Sequence, residues 1–296
     1  MLASPFFFVW LISQAVRVRS AVQPRRFYVD PANLPNVALA VPPLAFRLGS
    51  GALISGYSFD IVNDTTKDDY SILRFLDFKV KESSNLLEWN KPKKPIEIYE
   101  FEACPFCRKV REAVSILDLD VLYYPCPKGG PTYRLKVMEM GGKQQFPYMV
   151  DPNTGTAMYE SDDIIAYLFK TYGVGEVPPL LRPGFLTTVT CGLSMVFRSG
   201  KGRSFRESRR PKKPLTYWGY EGSPFCKVVR EKLVELEIPH LQKSVPRGSS
   251  KRDELFKKTG RFQVPYIEDP NTNTNLFESY EIMKYLEQTY AVAPEL

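Results

Sequence analysis

A single histidine, His240, occurs in 296 residues. That scarcity excludes zinc sites built on imidazole, and with them the Ser-His-Asp and Cys-His forms of nucleophilic catalysis. Cysteine is sparse too. Five residues, widely scattered, cannot form the framework of a disulfide-stapled secreted domain. No uncharged stretch reaches the roughly 18 apolar residues of a spanning helix. The first 16 residues, ahead of Arg17, form an uncharged stretch, and none is longer. What remains is an ordinary globular balance, 44% hydrophobic and 25% charged. At roughly 100–200 residues per domain, the length suits two domains.

The net charge of +7 is concentrated in two segments. Residues 1–29 hold four Arg and no acid, and residues 199–213 hold seven basic residues and one acid; the rest of the chain sums to −3. The basic character therefore belongs to segments that read as flexible, and no nucleic-acid reading motif accompanies it. Residues 199–213 read as a solvated basic linker. Phe6 to Ile12 is strongly apolar and is followed by Arg17, Arg19, Arg25 and Arg26 before Asp30. This mixes the marks of a transit peptide and a secretory signal, so residues 1–30 read as a targeting segment, with a membrane-associated anchor as the alternative.

The chain contains one unit twice. Pro95–Tyr172 matches Pro214–Tyr290 in three ordered blocks. PFCxxVRE recurs at Pro105 and Pro224, QxPYxxDPNT at Gln145 and Gln263, and ESxxIxxYL at Glu160 and Glu278. The offsets are 119, 118 and 118 residues, so one loop deletion accounts for the difference. Within the unit, PIEIYEF alternates like a strand, and Arg108–Leu117 carries apolar residues at helical spacing. DVLYYP reads as a second strand, and Tyr133–Met140 as a helix stopped by Gly141-Gly142. PYMV and AMYE flank a turn at Asp151–Gly155, before a last helix from Ser161. The predicted fold is α/β: two tandem thioredoxin-like β-α-β-α-β-β-α domains at 95–173 and 214–296, each with a mixed four-stranded sheet. An N-terminal extension covers 31–94, and an apolar-then-basic linker covers 174–213. Both connecting segments carry VPPL before a small-residue apolar stretch. They are expected to pack as helices on the two units, with membrane-surface contact as the alternative.

The chemistry centres on Cys104-Pro105-Phe106-Cys107, which opens the first helix of the first copy. A thiolate at a helix N-terminus is stabilised by free N–H groups and the helix dipole. Cys104 is the expected nucleophile and Cys107, one turn inside, the resolving thiol, with Arg108 and Lys109 adding positive potential. The bland alternatives are half a metal site or an idle thiol pair. Zinc would need two further ligands, and Cys126, Cys191 and Cys226 lack paired spacing, so no metal is expected. In the second copy the nucleophile position is Ser223, with Cys226 at the buried position. That unit either binds the same ligand without exchanging disulfides or is structural. Cys126 follows the second strand and reads either as a third redox cysteine or as a loop thiol. Cys191 reads as packing, and His240 as a strand start.

These residues resemble glutaredoxins and, more closely, the N-terminal thioredoxin-like domain of glutathione transferases. As a whole the chain resembles tandem-domain members found in plant and algal plastids. The resemblance covers both repeats. It implies cis-prolines at Pro147 and Pro265, with the backbones of Phe146 and Val264 pairing with the cysteinyl part of glutathione. It also implies that Glu160-Ser161 and Glu278-Ser279 hold the γ-glutamyl group, the alternative being that Ser161 and Ser279 merely cap their helices. Lys128 and Arg247, after the second strands, are candidates for the glycyl carboxylate. Neither copy is followed by the all-helical domain that builds a transferase's electrophile site. The expected activity is therefore glutathione-linked thiol–disulfide exchange on disulfide or glutathionylated proteins, in a plastid or another organelle. The rivals are a non-enzymatic binding or assembly module, a glutathione-dependent isomerase or dehydroascorbate-type reductase, and an iron–sulfur cluster bridged between two chains.

Overall fold

A computed structural model describes residues 28–64, 66, 68–88 and 91–292, so nearly all of the targeting segment lies outside it. The extension begins with two short helices, α1 (Leu34–Ala38) and α2 (Pro42–Phe46). It continues into β1 (Tyr57–Asn63), β2 (Leu73–Phe75) and β3 (Phe78–Ser84), an antiparallel sheet in the order β1-β3-β2 that the sequence reading did not foresee.

The first repeat comprises β4 (Ile96–Glu100), α3 (Pro105–Ile116), β5 (Val121–Pro125), α4 (Tyr133–Gly141), β6 (Tyr148–Asp151), β7 (Thr156–Met158) and α5 (Ser161–Tyr172). Helix α6 (Phe185–Val196) follows. The second repeat comprises β8 (Leu215–Gly219), α7 (Pro224–Glu235), β9 (His240–Ser244), α8 (Lys251–Thr259), β10 (Tyr266–Asp269), β11 (Thr274–Phe277) and α9 (Ser279–Tyr290). The predicted order therefore holds in both copies, and His240 does begin a strand. Helix α3 starts three residues before the expected Arg108, because Pro105 sits at the first helical position, where its fixed φ is preorganised and its missing N–H costs nothing. Gly142 ends α4 in the left-handed conformation, φ +76°. The hairpin turns are fixed from below. Tyr167 and Tyr172 donate to Asp151 Oδ2 at 2.6 and 2.5 Å, and Tyr285 and Tyr290 repeat the contact on Asp269.

Each repeat has the expected four strands, but they do not form two separate sheets. Strands β5 and β9 pair antiparallel, Val121 with Gln242 and Tyr123 with His240. One eight-stranded sheet results, in the order β11-β10-β8-β9-β5-β4-β6-β7. β5 and β9 would otherwise be unpaired edges, and mutual pairing removes both. His240 stacks on Tyr123 at 5.6 Å across this seam.

The connecting segments do pack as helices, but crosswise. α1 lies on α7 of the second repeat, and α6 on α3 of the first. Cys191 lies on the buried face of α6. The two VPPL motifs are not equivalent, since the first forms α2 and the second leads into a 3₁₀ turn (Pro179–Leu181). The equivalent pieces are Phe46-Arg47 and Phe197-Arg198, whose rings stack at 5.6 Å. Beyond them the chain again crosses. Leu53 bridges to Arg247 of the second repeat, and Ser204 to Lys128 of the first. The backbone of residues 199–213 is tied to both repeats as a strap, while all seven of its basic side chains are exposed, as expected of a solvated basic segment.

Helices α3 and α7 meet through buried charge. Glu102 accepts from Lys227 at 2.7 Å and Arg230 at 3.1 Å, while Glu221 pairs with Arg111 at 3.0 Å and Arg230 at 2.6 Å. Arg47 from the extension holds Glu112 at 2.7 Å, and Arg198, just after α6, holds Glu231 at 2.5 Å. All of these side chains are at most 4% exposed. Gly51 and Gly202, both at positive φ, let the crossing strands run against them. A Cβ on Gly202 would stand 2.6 Å from Glu102 Cβ, and one on Gly51 3.1 Å from Glu221 Cβ.

Two expectations follow. Removing one partner of a buried ion cluster strands the others, so Glu102→Ala should cost about 3–5 kcal/mol in urea unfolding. Glu287→Ala, which breaks the exposed pair with Arg206, should cost about 0–1 kcal/mol. Equal losses would contradict this account. Second, burial lowers the pKa of His240 from 6.5 to about 4, so it is neutral in the fold. Between these values the unfolded chain takes up a proton that the folded chain does not, and stability falls as pH drops from 6.5 to 4. His240→Phe keeps the stacking without the titration. Its Tm should fall less than that of the wild type over this interval.

Candidate functional site

The dithiol stands where β4 hands over to α3. Cys104 is the N-cap in extended conformation, and its Sγ accepts the Cys107 N–H at 3.2 Å. Burial works against a Cys104 thiolate, but hydrogen bonds from the Cys107 side chain and backbone, with the charge of Arg111, outweigh it. Its pKa is lowered from the ordinary thiol value. Burial and the neighbouring Cys104 push Cys107 well above that value. The two thiols are thus poised asymmetrically, in the sense expected of a nucleophile and a resolving partner. Both are buried, Cys104 at 4% exposure, while Phe106 between them is 46% exposed. Of the predicted cationic neighbours, Lys109 is committed to Asp162 at 2.5 Å and Arg108 to Glu112 at 3.0 Å.

The second copy reproduces this geometry without the chemistry. Ser223 Oγ accepts the Cys226 N–H at 3.3 Å, so the cap survives and the thiol is lost. The peptide bonds Phe146–Pro147 and Val264–Pro265 are both cis, as the resemblance implied. Phe146 O lies 4.0 Å from Cys104 Sγ. Glu160 and Glu278 hold positive φ, 64° and 68°, just before α5 and α9. Gln145 and Gln263, the first residues of the cis-proline blocks, donate to these carboxylates. Ser161 and Ser279 are the first helical residues and not caps; the cap position belongs to the Glu, whose side chain makes no capping bond. The capping alternative is therefore set aside, and both serines are left beside the first-turn N–H groups.

Cys126 is fully buried among Tyr99, Tyr133, Val137 and Tyr148, and its Sγ lies 3.4 Å from Tyr124 O. Burial pushes its pKa far up. Cys126 lies in the loop after β5, as the loop-thiol reading expected, and that loop turns inward under α4, so the thiol is buried. Lys128 pairs through its backbone with the strap, and its side chain is exposed. Arg247 is engaged with Glu82 at 3.0 Å.

One site residue escaped the sequence reading. The Arg134 Nε donates to Cys126 O at 3.1 Å and Pro127 O at 2.7 Å, and its guanidinium lies 4.7 Å from the Phe146 ring and 5.6 Å from the Phe101 ring. It stands beside the cis-proline loop that touches Cys104. Burial draws its pKa down, and the charges of Cys126, Cys107 and Cys104 act against that. Arg252 repeats the arrangement on Val245 O and Pro246 O. The signal was available: Arg134 and Arg252 are separated by 118 residues, as the later blocks are.

Both repeats are thus thioredoxin-like domains with a cis-proline facing a helix-capping Cys or Ser. Residues 98–179 and 218–294 each match the family described as glutathione S-transferase, N-terminal domain. Together they span more than half of the chain, which belongs to that family. Among curated relatives, the glutathione S-transferase-like protein tpcF of Aspergillus fumigatus is 35% identical over 77 residues, 26% of this chain and 34% of its own length. Among solved structures, the Bombyx mori glutathione transferase BmGSTD1 is 28% identical, with 28% of this chain and 38% of that one covered and a TM-score of 0.26. A second structure of the same transferase, complexed with GTT, gives 28% identity, 28% and 39% coverage and a TM-score of 0.25. The chain spans about a third of the length of its curated relative.

Glutathione suits the residues of the first repeat. The repeat holds a thiol of lowered pKa at the start of α3, Ser161 at the first turn of α5, and Arg134, which has no carboxylate partner among the described residues. Two anion-seeking groups and a thiol match a small peptide with a carboxylate at each end. Among the described residues no group of three or more His, Cys, Asp or Glu is placed to hold a metal.

The asymmetry of the thiols can be read directly. Iodoacetamide should alkylate Cys104 with a midpoint below the ordinary thiol pKa of about 8.5, and in the Cys104→Ser protein the remaining Cys107 should react only above it. Mass-spectrometric mapping across pH tests this; a common midpoint for both would refute the assignment.

Proposed function

We propose that the first repeat is a glutathione-linked thiol–disulfide oxidoreductase, with Cys104 as nucleophile and Cys107 as resolving thiol. The observation that carries this reading is the Cys104 Sγ accepting the Cys107 N–H at the start of α3, with its pKa lowered while that of Cys107 is raised. The Cys104 thiolate attacks a disulfide or glutathionylated protein, forming a mixed disulfide and releasing one thiolate. Cys107 then attacks the Cys104 sulfur, releasing the other thiol and closing the Cys104–Cys107 disulfide; on a Cys104–glutathione adduct, a second glutathione instead attacks the glutathione sulfur, releasing the Cys104 thiolate and oxidised glutathione. The products are the reduced substrate and either the Cys104–Cys107 disulfide or oxidised glutathione. Arg134, with Ser161 and the first turn of α5, would bind the two ends of glutathione, and the backbone of Phe146 before Pro147 its cysteinyl part. The side chain of Lys128 is a further candidate for the glycyl end. The family supports a glutathione ligand; the dithiol and the lack of a thiol at Ser223 favour a single catalytic centre. Delivery to a plastid by residues 1–30 belongs to the same proposal.

In a glutathione-coupled assay on a glutathionylated protein, Cys104→Ser should abolish turnover. Cys107→Ser should retain activity through resolution by glutathione. Arg134→Met should raise the KM for glutathione about tenfold, the order of one charge-assisted hydrogen bond. Activity surviving in Cys104→Ser would remove the proposal. Inactivity of the wild type with the fold intact would favour an assembly role.

A further inference from the structure

The internal symmetry is broken at one place, and the break falls on the second repeat's groove. After the two crossing strands, at Leu53 and Ser204, the chain takes different routes. From Ser204 it runs through residues 205–214 directly into β8. From Leu53 it first builds the β1-β3-β2 sheet over residues 57–84. Leu53 already lies on Arg247, so the inserted sheet lands beside α8 and the loop after β9. A Cβ on Gly248 there would meet Ile54 at 2.5 Å, Tyr57 at 2.9 Å and the Ser83 carbonyl at 3.0 Å.

What the insertion delivers is a carboxylate. Glu82, with its side chain 2% exposed, pairs with Arg247 at 3.0 Å and with Arg252 at 3.3 Å. It also accepts from the hydroxyls of Tyr57 at 3.1 Å and Tyr70 at 2.9 Å. Arg252 is the counterpart of Arg134, and Arg247 that of Lys128. Tyr70 packs on Phe262, just before the cis-proline block, at 4.8 Å, and its hydroxyl accepts from Arg252 at 2.7 Å. At the opposite end of the groove, Asn33 donates to Ser279 Oγ at 2.9 Å, and both residues are buried. The space left on this side, about 750 Å³ between Asp69–Arg74 and Phe256–Gln263, is lined by neither Ser223 nor Ser279.

We infer that the extension is a resident ligand of the second repeat. The Glu82 carboxylate fills the Arg247–Arg252 subsite, and Asn33 fills the Ser279 end, so this repeat takes no glutathione while the first stays open. The inference rests on the proposed reading, which places glutathione between Ser161 and Arg134. The matching positions of the second repeat are those that Asn33 and Glu82 occupy.

The test is the binding stoichiometry of glutathione on the full chain by titration calorimetry. The wild type should bind one equivalent. The Asn33→Ala, Tyr70→Ala, Glu82→Gln triple variant should bind two, and adding Ser279→Ala should return it to one. If the triple variant loses its native circular dichroism, Asn33→Ala is kept and residues 57–84 are replaced by a short Gly-Ser connection, which imitates the direct route of residues 205–214. Two equivalents in the wild type, or one in both wild type and variant, would overturn the inference and leave the first site standing. None in the wild type and one in the variant, abolished by Ser279→Ala, would overturn the reading of the first repeat but support self-occupancy. None in either would overturn both.

Discussion

Eleven charged side chains meet between α3 and α7, and the arrangement of the chain follows from the need to satisfy them. Glu100, Glu102, Glu112, Glu221 and Glu231 face Arg47, Arg108, Arg111, Arg198, Lys227 and Arg230 in a volume nearly closed to water. A buried ion that lacks a partner is far more costly than any surface pair. Each repeat supplies some of the other's counter-ions: Glu102 is met by Lys227 and Arg230, and Glu221 by Arg111. Neither α3 nor α7 can therefore bury this face alone. The two connecting segments complete the set with Arg47 and Arg198, which explains why they cross the molecule instead of trailing through solvent. Burial raises the pKa of Glu100 even beside Arg111.

This cluster also marks the limit of what the sequence could disclose. Strands and helices inside each repeat were legible because their signals are local: alternation in Ile96–Glu100, helical spacing in Val110, Val114 and Leu117, and glycine stops after α4. The dithiol was legible from its CxxC spacing at a helix start, and the cis-prolines and the Glu-Ser pairs from the resemblance to glutathione transferase N-terminal domains. The fusion of β5 with β9 was not, since pairing between edges depends on what approaches them, and short strands such as HLQKS read the same at an open edge or in a seam. The basic side chains of residues 199–213 are exposed, as their composition indicates. Arg198 sits just before that run, buried on Glu231, and residue type alone carries no trace of that partner. The VPPL likeness misled for the opposite reason: a local match of composition lay beside the true equivalence of Phe46-Arg47 with Phe197-Arg198.

Divergence between the copies has been uneven. The capping contact at Ser223, the cis-proline and the positive-φ glutamate of the second repeat all persist, although its nucleophile does not. These features order the backbone where the sheet meets its helices, and a thiol is not required for that. The second repeat keeps the frame of a binding domain and serves the first as a structural partner through the seam and the charge cluster.

The antiparallel seam between β5 and β9 has a directional consequence. The C-terminal ends of the parallel pair β4 and β5 point one way along the sheet, and those of β8 and β9 point the other. Cys104 and Ser223 therefore open toward opposite poles of the molecule. In the proposed reaction, a partner that approaches Cys104 therefore meets the end of the sheet away from the second repeat's groove, where the extension is packed.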